Sequence, residues 1–275
     1  MWEVENCKTC NSEMIPDPSP DRIAKRLLCI ECDFKPESIK KEFEVLSKMD
    51  YGLKDFPKLE MPQIKSKPLL TEPLSEMNDY LRNVLALVGG DETAIRDHLF
   101  GNSMNFSMLL LMARHRYIYK YAWAIPSQKA LKAIAKYSPI VEVGAGSGYW
   151  AYLLSKLGVD ILAFDSSPQN HYSKTGLKFH RRWFDVCEGN ESVVKDHQDR
   201  ALFLCWPPYN EDMAFKCLKE YKGKTVLYVG EGEGGCNASD SFFSHIEKNF
   251  TEEDCVELPV WYGIHDRLFI FRRNS

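Results

Sequence analysis

The stretch that most constrains this chain is residues 139–165. Pro139-Ile-Val-Glu-Val143 reads as a buried strand and runs directly into Gly144-Ala-Gly-Ser-Gly148. Trp150 to Leu157 have helical patterning, Gly158 ends that helix, and Asp160-Ile-Leu-Ala-Phe164 forms a second strand closing in Asp165. Apolar runs of strand length alternating with helices predict a parallel sheet covered on both faces. Glycines at a strand-to-helix turn let the backbone approach a ligand and aim peptide N–H groups at it. Asp165 lies 17 residues beyond Gly148, where a doubly wound fold carries the acid that accepts hydrogen bonds from ribose hydroxyls.

The rest of the chain supports one large domain with a smaller appendage. Its 275 residues, 44% hydrophobic and 12% aromatic, can bury a full core, which excludes a disordered or collagen-like chain. Lys and Arg number 35 against 39 Asp and Glu, a net charge of −4, so attraction to a polyanion would need a local patch. The longest apolar stretch, Met108 to Ala113, is far short of the ~20 residues of a membrane span, and no membrane partner is expected. Met1-Trp-Glu-Val-Glu5 lacks the basic flank and apolar stretch of a signal peptide. With an odd number of cysteines, nine, that predicts a reducing compartment, cytoplasmic or nuclear.

Four of those cysteines form Cys7-x2-Cys10 and Cys29-x2-Cys32, separated by 18 residues. Two such knuckles supply the four soft donors of a tetrahedral Zn²⁺ and leave no open position, so the expected site is a structural zinc ribbon over residues 1–36. A charged, proline-punctuated linker follows over 37–73, with room for one short helix. Residues 74–138 read as a helical cover. Met77, Leu81, Leu85 and Val88 recur at helical spacing before Gly89-Gly90, Asp91 can cap a short helix, and a third helix is expected over Met104 to Tyr121. Arg114, His115, Arg116 and Lys120 make this last helix the most basic stretch of the chain, which reads first as a solvated face and second as a surface that could meet an anionic substrate. Residues 139–275 form the sheet domain.

Val141-Glu-Val-Gly-Ala-Gly-Ser-Gly148 resembles the first motif of the class I S-adenosylmethionine-dependent methyltransferases, with Glu142 as the acid before the glycines and Asp165 as the ribose-binding acid. The dehydrogenase fingerprint G-x-G-x-x-G would need a glycine where Tyr149 stands. The resemblance implies S-adenosylmethionine as cofactor and a Rossmann-like α/β seven-stranded sheet whose last strand is antiparallel. On that pattern Ala201–Cys205 is the fourth strand, Thr225–Val229 the fifth, Val256–Val260 the sixth and Arg267–Phe271 the last. The third falls near Arg182–Val186, where Asp185 would bind the adenine amino group. Cofactor contacts are implied at Glu142, Gly144, Ala145, Gly146, Gly148, Trp150, Asp165, Ser166, Asp185, Cys205 and Trp206, with the segment of Tyr121, Trp123 and Pro126 closing over the cofactor. More narrowly, Tyr121–Ser127, Leu204–Tyr209, Tyr228–Cys236 and His265–Leu268 resemble a set of uncharacterised methyltransferase-like chains, over residues 114–273.

Trp206-Pro-Pro-Tyr209 sits where amino-methylating members carry Asp-Pro-Pro-Tyr or Asn-Pro-Pro-Tyr, whose first residue accepts hydrogen bonds from the target NH₂. Indole only donates, which argues against methylation of the exocyclic amine of adenine or cytosine. Trp206 and Tyr209 read either as a stacking wall for a planar or cationic group or as the filling of a rigid turn. Methyl transfer asks mainly for placement and a deprotonated nucleophile. Candidate bases are Glu231 and Glu233 after the fifth strand, and His265, which could equally pair structurally within His-Asp-Arg. Cys205 and Cys236 read as buried small residues. Three acceptor classes compete: RNA, ranked first on the ribbon and the stretches Arg114–Lys120 and Lys178–Arg182; protein, docked by the ribbon; and a small molecule, favoured by the acidic total. A non-catalytic zinc-ribbon scaffold is the reading of another class, and the intact Gly144, Gly146, Gly148 and Asp165 argue against it.

Overall fold

The computed structural model describes residues 6–12, 14–16, 27–29, 31–47, 77–87, 113–168, 170–172, 177–178, 181–261 and 263–275. They divide into two compact units, one drawn from Met1–Lys120 with Trp261–Gly263, the other from Tyr121–Val260 with Ile264–Ser275. Most of the linker, the Gly89-Gly90 stop, the Asp91 cap and the first part of the helix expected from Met104 lie outside the described residues.

In the first unit, β1 (Met14–Pro16) and β2 (Leu27–Cys29) pair antiparallel, Met14 opposite Cys29 and Pro16 opposite Leu27. Helix α1 (Pro36–Ser47) starts on a proline, whose missing N–H is no loss at a first helical position. Helix α2 (Asp79–Leu87) buries Tyr80, Leu81, Val84, Leu85 and Leu87, and Asn78 caps it by accepting the Leu81 N–H at 3.0 Å. Residues 113–120 form a third helix, α3. Leu28, Phe34 and Tyr119 make a small buried cluster. Arg116, fully buried, donates to Glu42 at 2.8 Å and to the Asp33 carbonyl at 3.1 Å, while Lys120 pairs with Glu31 at 3.8 Å. Of the basic stretch, Arg116 and Lys120 are thus paired inside this unit, neither simply solvated nor left open to an anionic substrate.

The second unit opens with α4 (Gln128–Ala135), whose N-cap Ser127 accepts the Ala130 N–H. There follow β3 (Ile140–Val143), α5 (Tyr149–Lys156) and β4 (Ile161–Asp165). A two-stranded ribbon of β5 (Asn170–Tyr172) and β6 (Leu177–Lys178) precedes β7 (Val186–Glu188), a 3-10 turn over Glu191–Asp196 and β8 (Ala201–Cys205). Then come α6 (Met213–Glu220), β9 (Thr225–Gly230), α7 (Asp240–Asn249), β10 (Phe250–Glu257) and β11 (Arg267–Arg273). The sheet order is β7-β4-β3-β8-β9-β11-β10. All pairings are parallel except those of β11, which is antiparallel to both β9 and β10. This is the seven-stranded Rossmann-like α/β sheet with an antiparallel last strand that the resemblance implies.

The strand period sorts its core into two layers. Ile140, Phe203, Leu227 and Val229 pack with Leu131, Ile134, Trp150 and Leu154 of α4 and α5 on one face, and Val141, Val143, Leu202, Leu204 and Tyr228 pack with α6 and α7 on the other. Glu142, one strand period after Ile140, shares the α5 face.

Two strand placements are corrected. The third strand is Val186–Glu188 rather than Arg182–Val186, and the sixth is Phe250–Glu257 rather than Val256–Val260. Glu252, Glu253 and Asp254 are exposed on this edge strand, where charges discourage further strand pairing.

Candidate active site

The strand order reverses beside β3, and at that switch point the carboxyl ends of β3, β4, β7 and β8 surround a cavity of about 370 Å³. One wall is the glycine turn. Gly144 and Ala145 donate to the Phe164 carbonyl at 2.8 and 3.0 Å, and Gly146 donates to Asp165 Oδ2 at 2.9 Å. Gly148 has φ +75, and a Cβ there would come within 2.7 Å of Val186 Cγ2 and 2.9 Å of the Phe184 Cβ. Only glycine fits both the backbone and the space. Helix α5 starts at this turn with Gly148 as its N-cap, which has no side chain to cap it, and a helix N-terminus favours an anionic ligand group.

Asp165 closes β4 with Oδ1 accepting the Ser167 N–H at 2.8 Å. Burial pushes its pKa up against the two N–H bonds that lower it. Glu142 lines the same cavity at 1% exposure. Its carboxyl accepts the Ala151 N–H, but Oε2 has no partner, and burial followed by the charge of Asp165 pushes its pKa up to about 8. Trp150 Nε1, 2% exposed, is likewise buried without an acceptor on the cavity wall. An unsatisfied buried acceptor and donor in one cavity are uncommon unless a ligand completes them. Gly189 and Asn190, just past the end of β7, also line it. Asp185 does not: it precedes β7, at the opposite end of the strand, and its 94% exposed side chain pairs with Arg182 at 3.5 Å. The adenine role expected of Asp185 therefore does not fit this geometry.

The loop after β8 forms another wall. Trp206 adopts φ +52 and Asn210 φ +53, with Ala238 at φ +55 in the neighbouring loop. Non-glycine residues avoid this region, and here cross-bracing holds it: Trp206 N–H to Val229 O at 2.8 Å, Ala238 N–H to Pro207 O at 3.1 Å and Asn210 N–H to Ala238 O at 2.7 Å. The Trp206 ring stacks on Trp123 at 5.0 Å and 11°, and its Nε1–H donates to Asp266 Oδ1 at 2.8 Å. Trp123, Tyr121, Cys205, Tyr209 and Ser166 all line the cavity; Pro126 does not.

Glu231 and His265, proposed as bases from sequence, are not on that wall. Glu231 Oε1 accepts the His265 N–H at 2.8 Å and lies 3.2 Å from His265 Nδ1, while Oε2 accepts the Cys236 N–H at 2.7 Å. Burial acts to raise its pKa, but the Cys236 and His265 bonds outweigh it and hold the carboxyl below its ordinary value. The geometry is that of a loop brace. Cys236, expected to be buried, is exposed and lines the cavity. Burial pushes the Cys205 thiol well up, which makes it a poor nucleophile.

Sequence reading missed Asn190, Glu191, Glu211, Asp212 and Lys216 on the cavity wall.

In the other unit the Sγ atoms of Cys7, Cys10, Cys29 and Cys32 all lie within 4.8 Å of one another, with separations of 3.4 Å (Cys10–Cys29), 3.5 Å (Cys10–Cys32) and 3.9 Å (Cys7–Cys32). A tetrahedral ion bound at ~2.3 Å to each sulfur requires separations near ~3.8 Å, so this cluster can hold a metal ion. The knuckles are preformed: Thr9 N–H approaches Cys7 Sγ at 3.4 Å, and Cys29 O accepts the Cys32 and Asp33 N–H groups at 3.2 and 2.7 Å. The Ser12 hydroxyl leads in lowering the Cys10 pKa to about 6, while burial raises Cys29 and the Cys10 neighbour pushes Cys32 up to about 12, so without an ion the cluster holds its negative charge first on Cys10.

No family model and no curated protein sequence matches the chain. Among solved structures it is similar to 1,6-didemethyltoxoflavin-N1-methyltransferase of Burkholderia thailandensis with bound S-adenosylhomocysteine, at 11% identity and TM-score 0.39, over 54% of this chain and 78% of that one. A TehB-like SAM-dependent methyltransferase of Corynebacterium glutamicum aligns at 20% identity and TM-score 0.33, over 53% and 87%. The small RNA methyltransferase HEN1 aligns at 14% and 0.36, over 54% and 25%. At these scores the likenesses say nothing of activity, which rests on the residues themselves.

Proposed function

We propose that the chain is an S-adenosylmethionine-dependent methyltransferase carrying a structural zinc site. The observation that carries this reading is the cavity wall at the switch point, where the side chains of Glu142 and Trp150 are buried with Oε2 and Nε1 unpartnered beside the start of α5. Those groups suit a zwitterion: the carboxylate of Glu142 takes an ammonium, and the indole N–H beside the positive end of α5 takes a carboxylate. The two Asp165 oxygens, each holding a single backbone N–H, keep lone pairs for vicinal ribose hydroxyls. Gly189 and Asn190 are left to flank the base. S-adenosylmethionine combines these three parts, and when bound it supplies an already activated methyl group.

Tyr149 supports this cofactor over a dinucleotide. It stands where the dehydrogenase turn needs its third glycine, and its ring is buried against Tyr121 and Trp183, at 5.0 and 4.9 Å. The protein's part is binding, orientation and exclusion of water, with Trp206, Trp123 and Tyr209 walling the acceptor side and Glu231 bracing the adjoining loop. The test is transfer of radiolabelled methyl from S-adenosylmethionine into a fractionated cell extract. Label that appears with the wild-type chain and not with Asp165→Ala supports the reading; equal label with both removes it.

A further inference from the structure

Beyond that reading, and independently of it, we propose that the foot of the sheet, where α6 and α7 end, docks the phosphodiester backbone of a single-stranded nucleic acid. Strand β9 starts at Thr225 and β11 ends at Arg273, with Arg272 opposite Thr225. This end carries the amino termini of the parallel strands, whereas the cofactor cavity lies at their carboxyl ends. Four cations come together here. Lys219 Nζ lies 5.6 Å from the centre of the Phe215 ring, and Arg273 Cζ lies 4.4 Å from that of Phe250. His245 stands between the two rings, 5.8 Å from Phe215 and 6.4 Å from Phe250. Lys222 Nζ donates to the Lys219 carbonyl at 3.1 Å, and Lys248 stands three positions after His245 on the same side of α7.

Elsewhere on this unit cations meet carboxylates: Lys195, Arg200, Lys216 and Arg267 do so at 3.3, 2.9, 3.4 and 3.1 Å. Lys219, Lys222, Lys248 and Arg273 form no ion pair with a carboxylate among the described residues. Arg273, only partly exposed, gives Nε and Nη2 to the carbonyls of Gly223 and Tyr221 at 2.9 and 2.6 Å, neutral acceptors that leave its charge uncancelled. The ends of α6 and α7 answer part of the excess, at roughly half a negative charge each, which is about one unit against four. Glu220 is paired with Lys195, and Glu247, two positions after His245, lies on another side of α7. Burial, then the charges of Arg273, Lys222, Lys248 and Lys219, hold the His245 pKa below its ordinary value, so the four are felt at one point. A chain of net charge −4 thus carries a local positive field that the total conceals. Phosphates supply the missing charge. The partly exposed rings of Phe215 and His245 stand among the cations as single-strand binders place rings among theirs, phosphates meeting the cations and bases the rings. An acidic peptide has the charge but no bases for the rings.

The test measures binding to the full chain by fluorescence anisotropy, with labelled oligouridylate and oligothymidylate of equal length and a polyglutamate peptide of equal charge as probes. Lys219→Gln/Lys222→Gln/Lys248→Gln, at three exposed positions, is expected to weaken oligonucleotide binding at least about tenfold at about 0.1 M salt. It should also make the slope of log affinity against log salt shallower by about 2, at about 0.7 per phosphate contact. Lys129→Gln/Lys132→Gln/Lys136→Gln removes the same charge from exposed positions on α4 and at its C-cap, and should leave both quantities unchanged. Bound oligonucleotide should raise the titration midpoint of His245, read by NMR, because phosphate favours the imidazolium. Tighter binding of oligouridylate names RNA as the source and of oligothymidylate DNA, while equal binding places recognition in the shared backbone. Absence of oligonucleotide binding, equal weakening by the two triple variants, an unmoved His245 midpoint or tighter binding of polyglutamate overturns the proposal. A chain that binds oligonucleotide and no S-adenosylhomocysteine fails the methyltransferase reading instead.

Discussion

The indole N–H of Trp206 donates to the buried carboxylate of Asp266 at 2.8 Å, across 60 residues of sequence. This bond fixes the edge of the ring, while Trp123 stacks on its face. Leaving a buried indole N–H without an acceptor costs about 1–3 kcal/mol. Asp266→Leu should lower unfolding free energy by that amount and shift tryptophan emission, whereas Asp266→Asn, which keeps an acceptor oxygen, should lose much less. Equal losses in the two variants would mean that the bond does not hold the ring.

Gly148 and Gly158 both have positive φ, +75 and +81, but only Gly148 is crowded; nothing lies within 4 Å of a Cβ at Gly158. Alanine at 158 should lose about 1–2 kcal/mol for the left-handed backbone alone. Alanine at 148 must also displace Phe184 or Val186 and should lose about 1–3 kcal/mol more. Denaturant unfolding of the two variants checks the order, and a Gly148→Ala variant as stable as Gly158→Ala would refute the tight turn.

Glu142 makes stability depend on pH. Its folded pKa, about 8, lies above its ordinary 4.5, so between those values the folded state holds a proton that the unfolded chain has lost. Its contribution to stability therefore falls as pH rises from 4.5 to 8 and is level beyond, by at most one proton, or about 1.4 kcal/mol per pH unit. Unfolding free energies across this range should fall more steeply for wild type than for Glu142→Gln; parallel curves would exclude the raised pKa. An ammonium bound beside Glu142 would pull that pKa down, so ligand binding at pH 7 should release up to one proton, read from calorimetry in buffers of different ionisation heat.

The glycine turn, Asp165 and strands β8, β9 and β11 were legible because each is a buried apolar run or a turn that tolerates few residue types. Strand β7 was not, since Val186–Glu188 is three residues long and buries only Val186. Asp185 stands at the start of that strand, whereas the cavity is met by Gly189 and Asn190 past its end. The partners of Glu231 and Trp206 could not be read because they lie across loops, 34 and 60 residues away. Arg116 shows the limit of counting charge: a cation in a basic stretch turns out to be buried against Glu42, 74 residues away.

The four-sulfur cluster should bind one zinc ion per chain. Cys29→Ser removes a buried donor and should lose the metal, measured by elemental analysis, and loosen β1 and β2 to hydrogen exchange while S-adenosylhomocysteine still binds. Full metal content in this variant would remove Cys29 from the ligand set.

The central claim is that Asp165 and the glycine turn hold S-adenosylmethionine, and the most direct measurement is calorimetric titration of S-adenosylhomocysteine into the wild-type chain and Asp165→Ala. One ligand per wild-type chain and an affinity at least about tenfold weaker in the variant, about 1.4 kcal/mol, is the predicted result. Equal affinities, or a wild-type chain that binds none, would contradict it.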